Sequence, residues 1–241
     1  MRQHLIGLVL LLTTVGALPA CAQLGGRPSH YSAEAIEARV IDAETKQPLE
    51  GVIVTANWEL RGPATAGGSA PIGQLMVLET VTGKDGKFAF PAWGPKRARG
   101  ALLNRDPQLL LFKPGYRYRG LENEFRDGME LEPIRRSEWS GRTIEMKPFK
   151  GTVGEWAKHF ESLNNDLEHI AADQPEECNW KKLPRTIMAV INERKVLEGK
   201  GINPHTLPSL DKRLLMNDEY YTKKGGLACG SPKEFLRSRQ P

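Results

Sequence analysis

The apolar pattern of this chain changes its period once, near residue 151, and that change divides the sequence into two kinds of structure. Before it, apolar and polar residues alternate; after it, apolar residues recur at steps of three and four. Alternation buries one face of a strand, whereas steps of three and four bury one face of a helix. A β-rich first part and a helical second part are therefore expected, meeting at the short link "FKGT" (149–152).

In the first part, "AIEARVID" (35–42) sets Ile36, Ala38 and Val40 against Glu37 and Arg39. "VIVTANWEL" (52–60) is β-branched and aromatic, and "RGPATAGGSAPIG" (61–73) has no period and reads as a surface loop. "QLMVLETV" (74–81) then enters "TGKDGKFAFPAW". Asp85-Gly86 is a hairpin signal, with Gly83 and Gly86 supplying positive-φ positions, and Asp85 reads as a turn former. Phe88 and Phe90 fall on one face of the returning strand, toward the core. "QLLLFKPGY" (108–116) and "RTIEMKP" (142–148) complete the strands. Many short strands with turn punctuation predict a β-sandwich.

In the second part, Thr152 and Glu155 have capping-box spacing at the head of a helix over 152–173. Val153, Trp156, Phe160, Leu163, Leu167 and Ile170 form its apolar face. A second helix is expected over 183–201, with Pro184 near its start, and a short third over 207–221. Such faces must be covered, and the sandwich is the nearest apolar surface.

The N-terminal 23 residues, "MRQHLIGLVLLLTTVGALPACAQ", have Arg2 and His4, an apolar run and small residues, the pattern of a signal peptide over 1–21. Leu18-Pro19-Ala20-Cys21 resembles a bacterial lipobox, although Pro19 departs from it, and would make Cys21 the lipidated first residue. Ala20-Cys21-Ala22 also fits ordinary cleavage before Gln23. On the lipobox reading, 22–33 is a flexible tether, and Ala22 resembles the second residue of outer-membrane lipoproteins. No later stretch approaches the roughly 20 apolar residues of a membrane span, so membrane association through the lipid anchor alone is expected. Either route leaves Cys178 and Cys229 as an even pair, expected to be bridged in an oxidising compartment. The rival reading is one buried and one exposed free thiol.

Asp42 with Gln47-Pro48-Leu49 before Gly51-Val52, Asp85-Gly86-Lys87-Phe88, and Gly115-Tyr116 follow one another in an order that resembles the carboxypeptidase regulatory-like domain. The resemblance covers about 34–150 and implies a seven-stranded antiparallel transthyretin-like sandwich, with the helical region 151–241 packed on it. The segment "GPKRARGALLNRDP" (94–107) is an insertion relative to that family. The resemblance implies a scaffold and no chemistry. The zinc peptidase that accompanies this domain elsewhere needs His-x-x-Glu, whereas His159 is followed by Phe160, Glu161 and Ser162. Residues 34–150 contain no histidine and no cysteine. No catalytic residue, metal ligand or cofactor is expected.

The formal charge of +5 arises from 34 basic and 29 acidic residues interspersed along the chain. That balance suits a soluble surface, and export argues against nucleic acid as a partner. Lys96, Arg97, Arg99 and Arg105 in the insertion, with Arg117 and Arg119 after the Gly-Tyr turn, are candidates for binding an anion or a partner. The plainer reading is a solvated loop balanced by Glu122, Glu124, Asp127, Glu130 and Glu132. Trp58, Trp93 and Tyr116 could stack on sugars or simply fill the core. His169 and Asp173 form either a helix-surface pair or two thirds of a metal site. The reading favoured is a non-catalytic exported envelope protein, anchored at the periplasmic face of the outer membrane. Its sandwich would serve for binding or interaction with an envelope protein or glycan. A soluble periplasmic or secreted form, a structural lipoprotein without a ligand, and an unrecognised periplasmic enzyme are the alternatives.

Overall fold

β3 (Ile53–Arg61) is the strand on which both halves of the chain are built. Side chains alternate along a strand, so Val54, Ala56, Trp58 and Leu60 point to one side and Thr55, Asn57, Glu59 and Arg61 to the other. Every residue from Val54 to Trp58 is nonetheless buried. A strand buried on both faces needs two covers, and this chain supplies a second sheet on one side and helices on the other. The computed structural model describes residues 29–63, 68–103, 105–124, 132–173, 177–203, 205, 207, 210–223 and 229–239. The leader 1–21, Cys21 with its expected lipid, and residues 22–28 of the expected tether lie outside the described residues, as do Asp127 and Glu130.

The central sheet runs β4 (Pro71–Val81), β3, β8 (Gln108–Phe112) and β9 (Arg119–Leu121), all antiparallel, with β7 (Ala101–Leu102) pairing the far end of β3. A second sheet places β2 (Ile36–Asp42) between β5 (Lys87–Phe90) and β11 (Thr143–Met146). A third places β1 (His30–Ala33) between β6 (Trp93–Arg97) and β10 (Ile134–Arg135). Ile36, Val40, Phe88, Phe90, Ile144 and Met146 of the second sheet pack against Val54, Trp58, Leu109 and Leu111 of the central one, forming the sandwich core. Trp58 and Trp93 meet edge to face there, 5.2 Å between centroids, so both are core residues.

The other face of the central sheet offers Val77, Leu110 and Phe112 to the helices. α1 (Val153–Ala171) lays Trp156, Phe160, Leu163, Leu167 and Ile170 into that cluster, with Phe160 and Phe112 6.1 Å apart. α2 (Pro184–Gly199), α3 (Leu210–Lys223) and α4 (Pro232–Arg237) add Ile187, Val190, Leu214 and Leu236. The Thr152–Glu155 capping box opens α1 as its spacing predicts. The start of α2 is capped from outside the helix. Glu79 on β4 accepts from the backbone N–H groups of Arg185 (3.0 Å) and Thr186 (2.7 Å), so a carboxylate meets the positive end of a helix.

Several expectations are corrected. The described residues form eleven strands in three sheets rather than seven in two. The sandwich is not wholly antiparallel, because β11 runs parallel to β2 and β10 parallel to β1. Residues 30–33 of the expected tether are β1, with Tyr31 fully buried. The 94–107 segment is not one exposed loop: it contributes β6 and β7, and Ala101 and Leu102 are buried. The hairpin takes its positive φ from Gly86 alone (74°), where a Cβ would lie 2.3 Å from the Val40 carbonyl oxygen. A fourth helix, α4, follows the expected three.

Two residues that carry the family resemblance meet in space. Asp42 accepts from the backbone N–H groups of Glu44 (2.7 Å) and Thr45 (2.8 Å), closing the turn after β2, and from the Tyr116 hydroxyl (2.8 Å). The Thr45 hydrogen bond foremost, helped by Tyr116, holds the Asp42 carboxyl below its ordinary range.

Cys178 and Cys229, 51 residues apart, form a disulfide, and Trp180 packs edge to face on Phe235 of α4 at 4.9 Å. The bridge ties α4 to the segment between α1 and α2. Replacing both cysteines by serine should lower stability by about 4 kcal/mol, the entropy of a loop this long released to the unfolded chain. Equilibrium urea unfolding of the double variant against the oxidised wild type measures it.

Candidate functional site

The odd-numbered face of β3 sets polar residues under the helices, and each finds a different solution. The Thr55 hydroxyl bonds that of Thr186 at 3.2 Å. Glu59 forms an ion pair with Arg61 (2.6 Å) and a short contact with Nε2 of His169, whose Nδ1 lies 3.1 Å from Asp173. These acidic partners, Glu59 first, hold the His169 imidazolium and push its pKa from 6.5 up to about 9, against the opposing effect of burial. Asn57 has no such partner. Its side chain is buried, and its Oδ1 lacks a hydrogen bond among the described residues.

Asn57, Glu59 and Arg61 open onto a cleft of about 260 Å³ between β3, residues 105–108 and α1. Arg105, Asp106, Gln108, Glu122, Asp166 and His169 complete its polar lining, and Pro71 and Leu103 are the apolar residues there. The wall formed by residues 105–108 is fastened from behind. Arg135 donates from Nε to both oxygens of Asp106 at 3.0 Å and from a terminal nitrogen at 2.6 Å, with both side chains buried. Asn123 donates to the carbonyls of Asp106 and Arg136, each at 2.7 Å. Burial pushes the Asp106 carboxyl up to about 6, with Arg135 resisting. On α1, burial also raises Asp166, which accepts from the Tyr118 hydroxyl at 3.4 Å.

A basic ledge lies nearby. Arg117, Tyr118, Arg119, Glu145, Lys147 and His159 line a second pocket of about 380 Å³. The Tyr118 backbone N–H donates to Nε2 of His159 at 2.9 Å, so that nitrogen is an acceptor and the ring is neutral. Burial first, and Arg117 second, lower the His159 pKa. Its ring lies against Tyr118, Phe149 and Trp156, and Arg117 stacks over Phe149 at 5.4 Å. Lys46 and Lys150 are matched by Glu145 (2.7 Å) and Glu44 (2.6 Å). Among the described residues, Arg117, Arg119 and Lys147 form no ion pair; Arg119 donates instead to the Glu145 carbonyl at 2.9 Å.

The six cations singled out from the sequence fall into three settings. Arg117 and Arg119 share the ledge. Arg105 lines the cleft, 3.9 Å from Glu122. Lys96 and Arg97 lie on β6 opposite Tyr31 and His30, with Lys96 3.4 Å from the Met76 sulfur, and Arg99 is exposed beyond them. Asn57, Asp106, Gln108, Asp166 and Lys147 escaped sequence reasoning. The alternation Thr55, Asn57, Glu59, Arg61 was the available signal for the floor of the cleft.

No family model matches the sequence, and no curated protein matches it. Solved structures with similarity to it include 3-chlorocatechol 1,2-dioxygenase from Rhodococcus opacus 1CP, at 12% identity and TM-score 0.30 over 51% of this chain and 62% of that one. The group B streptococcus pilus 2b backbone protein is 15% identical, at TM-score 0.26 over 48% of this chain and 41% of that one. The major pilin SpaD from Corynebacterium diphtheriae is 17% identical, at TM-score 0.25 over 51% of this chain and 32% of that one. The chain thus spans less than two thirds of the length of each.

His169 joins α1 to the sheet in a charge-dependent way. A histidine whose pKa rises on folding contributes stability in full below its ordinary value and loses it as pH rises through the folded value. The urea midpoint should therefore fall between pH 6.5 and 9, and His169→Gln should flatten that fall. Arg135→Leu leaves Asp106 buried without its counter-charge and should cost about 3–5 kcal/mol, read by the same unfolding at pH 7.

Proposed function

We propose that the chain is a non-catalytic, exported cell-envelope protein that uses its sandwich as a binding scaffold, of the carboxypeptidase regulatory-like, transthyretin-like type. Its attachment to the outer membrane through Cys21 belongs to the same reading, with soluble export as the alternative. The Cys178–Cys229 bridge supports an oxidising compartment. Among the described residues, no helix is long and apolar enough to cross a membrane.

The ledge is the surface that meets the partner, and the observation that carries this is the set of cations Arg117, Arg119 and Lys147, which form no ion pair among the described residues. An Arg guanidinium can take a carboxylate or phosphate in a two-pronged hydrogen bond, and Lys147 adds a mobile charge beside it. The aromatic cluster of Phe149, Trp156 and His159 braces Arg117 and lowers the entropy lost when it closes on a ligand. The partner is an envelope protein or glycan that presents carboxylate or phosphate groups.

Co-sedimentation of the purified full chain with isolated envelope material tests the proposal. Wild type should pellet in a salt-sensitive manner, and Arg117→Ser with Lys147→Ser should weaken binding about tenfold or more, as expected for two lost charge-assisted contacts. Equal pelleting of the two forms would overturn it.

A further inference from the structure

We infer that the cleft between β3, residues 105–108 and α1 binds one uncharged sugar ring. This goes beyond the ledge reading and rests on a pocket that shares no lining residue with the ledge. What the cleft lacks defines what it takes. Asn57 is only 2% exposed, and its Oδ1 has no hydrogen-bond partner among the described residues. A buried amide oxygen left unbonded costs on the order of 1–3 kcal/mol, and a ligand donor toward which the Asn57 side chain turns from the floor of the cleft would recover that loss. Beside it, Gln108, its cross-strand neighbour on β8, makes no side-chain hydrogen bond among the described residues and faces the same space.

The charges of the lining then narrow the class of ligand. Four carboxylates line the cleft, Glu59, Asp106, Glu122 and Asp166, which disfavours an anion. Three cations line it too, Arg61, Arg105 and His169, and Arg135 neutralises Asp106 from behind. Among the described residues the count closes at zero, so no excess negative charge draws in a cation. Among the described residues, Pro71 and Leu103 are the apolar lining, too little surface for a greasy ligand. A neutral molecule that both donates and accepts fits what remains. Vicinal hydroxyls match planar carboxylates, carboxamides and guanidinium groups two bonds at a time. The volume of about 260 Å³ is below the roughly 300–1,000 Å³ of pockets for drug-sized ligands, which limits the occupant to a single ring. That ring is either a free monosaccharide or the terminal residue of a glycan.

Isothermal titration of the full, oxidised chain with neutral hexoses, pentoses and N-acetylhexosamines, and with oligosaccharides ending in the same rings, tests the inference. One neutral ring should bind. Equal affinity for the free ring and the oligosaccharide identifies a free sugar as sufficient, and a preference for the oligosaccharide identifies a glycan end; both support the site. Asn57→Ala and Gln108→Ala should each weaken binding about tenfold, the worth of one or two hydrogen bonds. Near-ultraviolet circular dichroism and the Cys178–Cys229 bond report whether the variants keep the fold, and Gln108→Ala decides alone if Asn57→Ala does not. Failure of every neutral sugar to bind, a preference for amines or carboxylates, or undiminished binding by a folded Gln108→Ala would overturn it.

Discussion

The contact between the apolar face of α1 and the outer face of the central sheet is the interaction on which the rest of the structure depends. Phe160 on Phe112, with Val77 and Leu110 around them, turns a sheet that could face water on one side into one buried on both. Burial of side chains this size stabilises by about 1.5–3 kcal/mol each, enough in sum to hold the helices against the sandwich without a long linker. Once the helices are seated, the polar half of β3 can no longer be solvated. Thr55, Asn57 and Glu59 must find partners inside the protein or go without.

Most of them are met by groups brought from far along the chain. Glu79 caps α2 across 107 residues of sequence, and Glu59 reaches His169 across 110. Arg135 answers Asp106 across 29. Buried charges are tolerable only when paired and hydrogen-bonded, and each of these pairs also fixes one element against another. The joint between sheet and helices is thus apolar in its middle and electrostatic at its rim. Its behaviour with pH follows from the rim alone.

The cleft and the ledge are two consequences of that geometry. The cleft exists because the polar stripe of β3 runs out toward residues 105–108, with Asp166 and His169 of α1 facing it. The ledge exists because the turn at Gly115-Tyr116 sends Arg117 and Arg119 back along β11 and the start of α1. Both join strand and helix residues to connecting segments, and the Asp106 wall of the cleft is fastened by Arg135 and Asn123. Sites built this way hold their side chains in place before a ligand arrives.

Local chemistry was legible in the sequence. The period of β2, the Asp85-Gly86 hairpin and the Thr152–Glu155 cap involve neighbours a few residues apart, and their geometry is dictated by backbone sterics and short hydrogen bonds. The disulfide was legible for another reason: with Cys21 expected to be taken out of play by lipidation or by cleavage, two cysteines have one way to pair. The fate of the second face of β3 was not legible, because Thr-x-Asn-x-Glu-x-Arg reads equally well as a solvated edge. Nor was β1, whose His-Tyr-Ser-Ala carries too little pattern to stand out from a tether. Both were decided by tertiary packing. Burying the broad apolar faces of α1 and α2 outweighs the cost of desolvating a polar stripe whose charges can be paired from a distance, and the carboxamide of that stripe, Asn57, whose Oδ1 finds no partner among the described residues, marks the floor of the cleft.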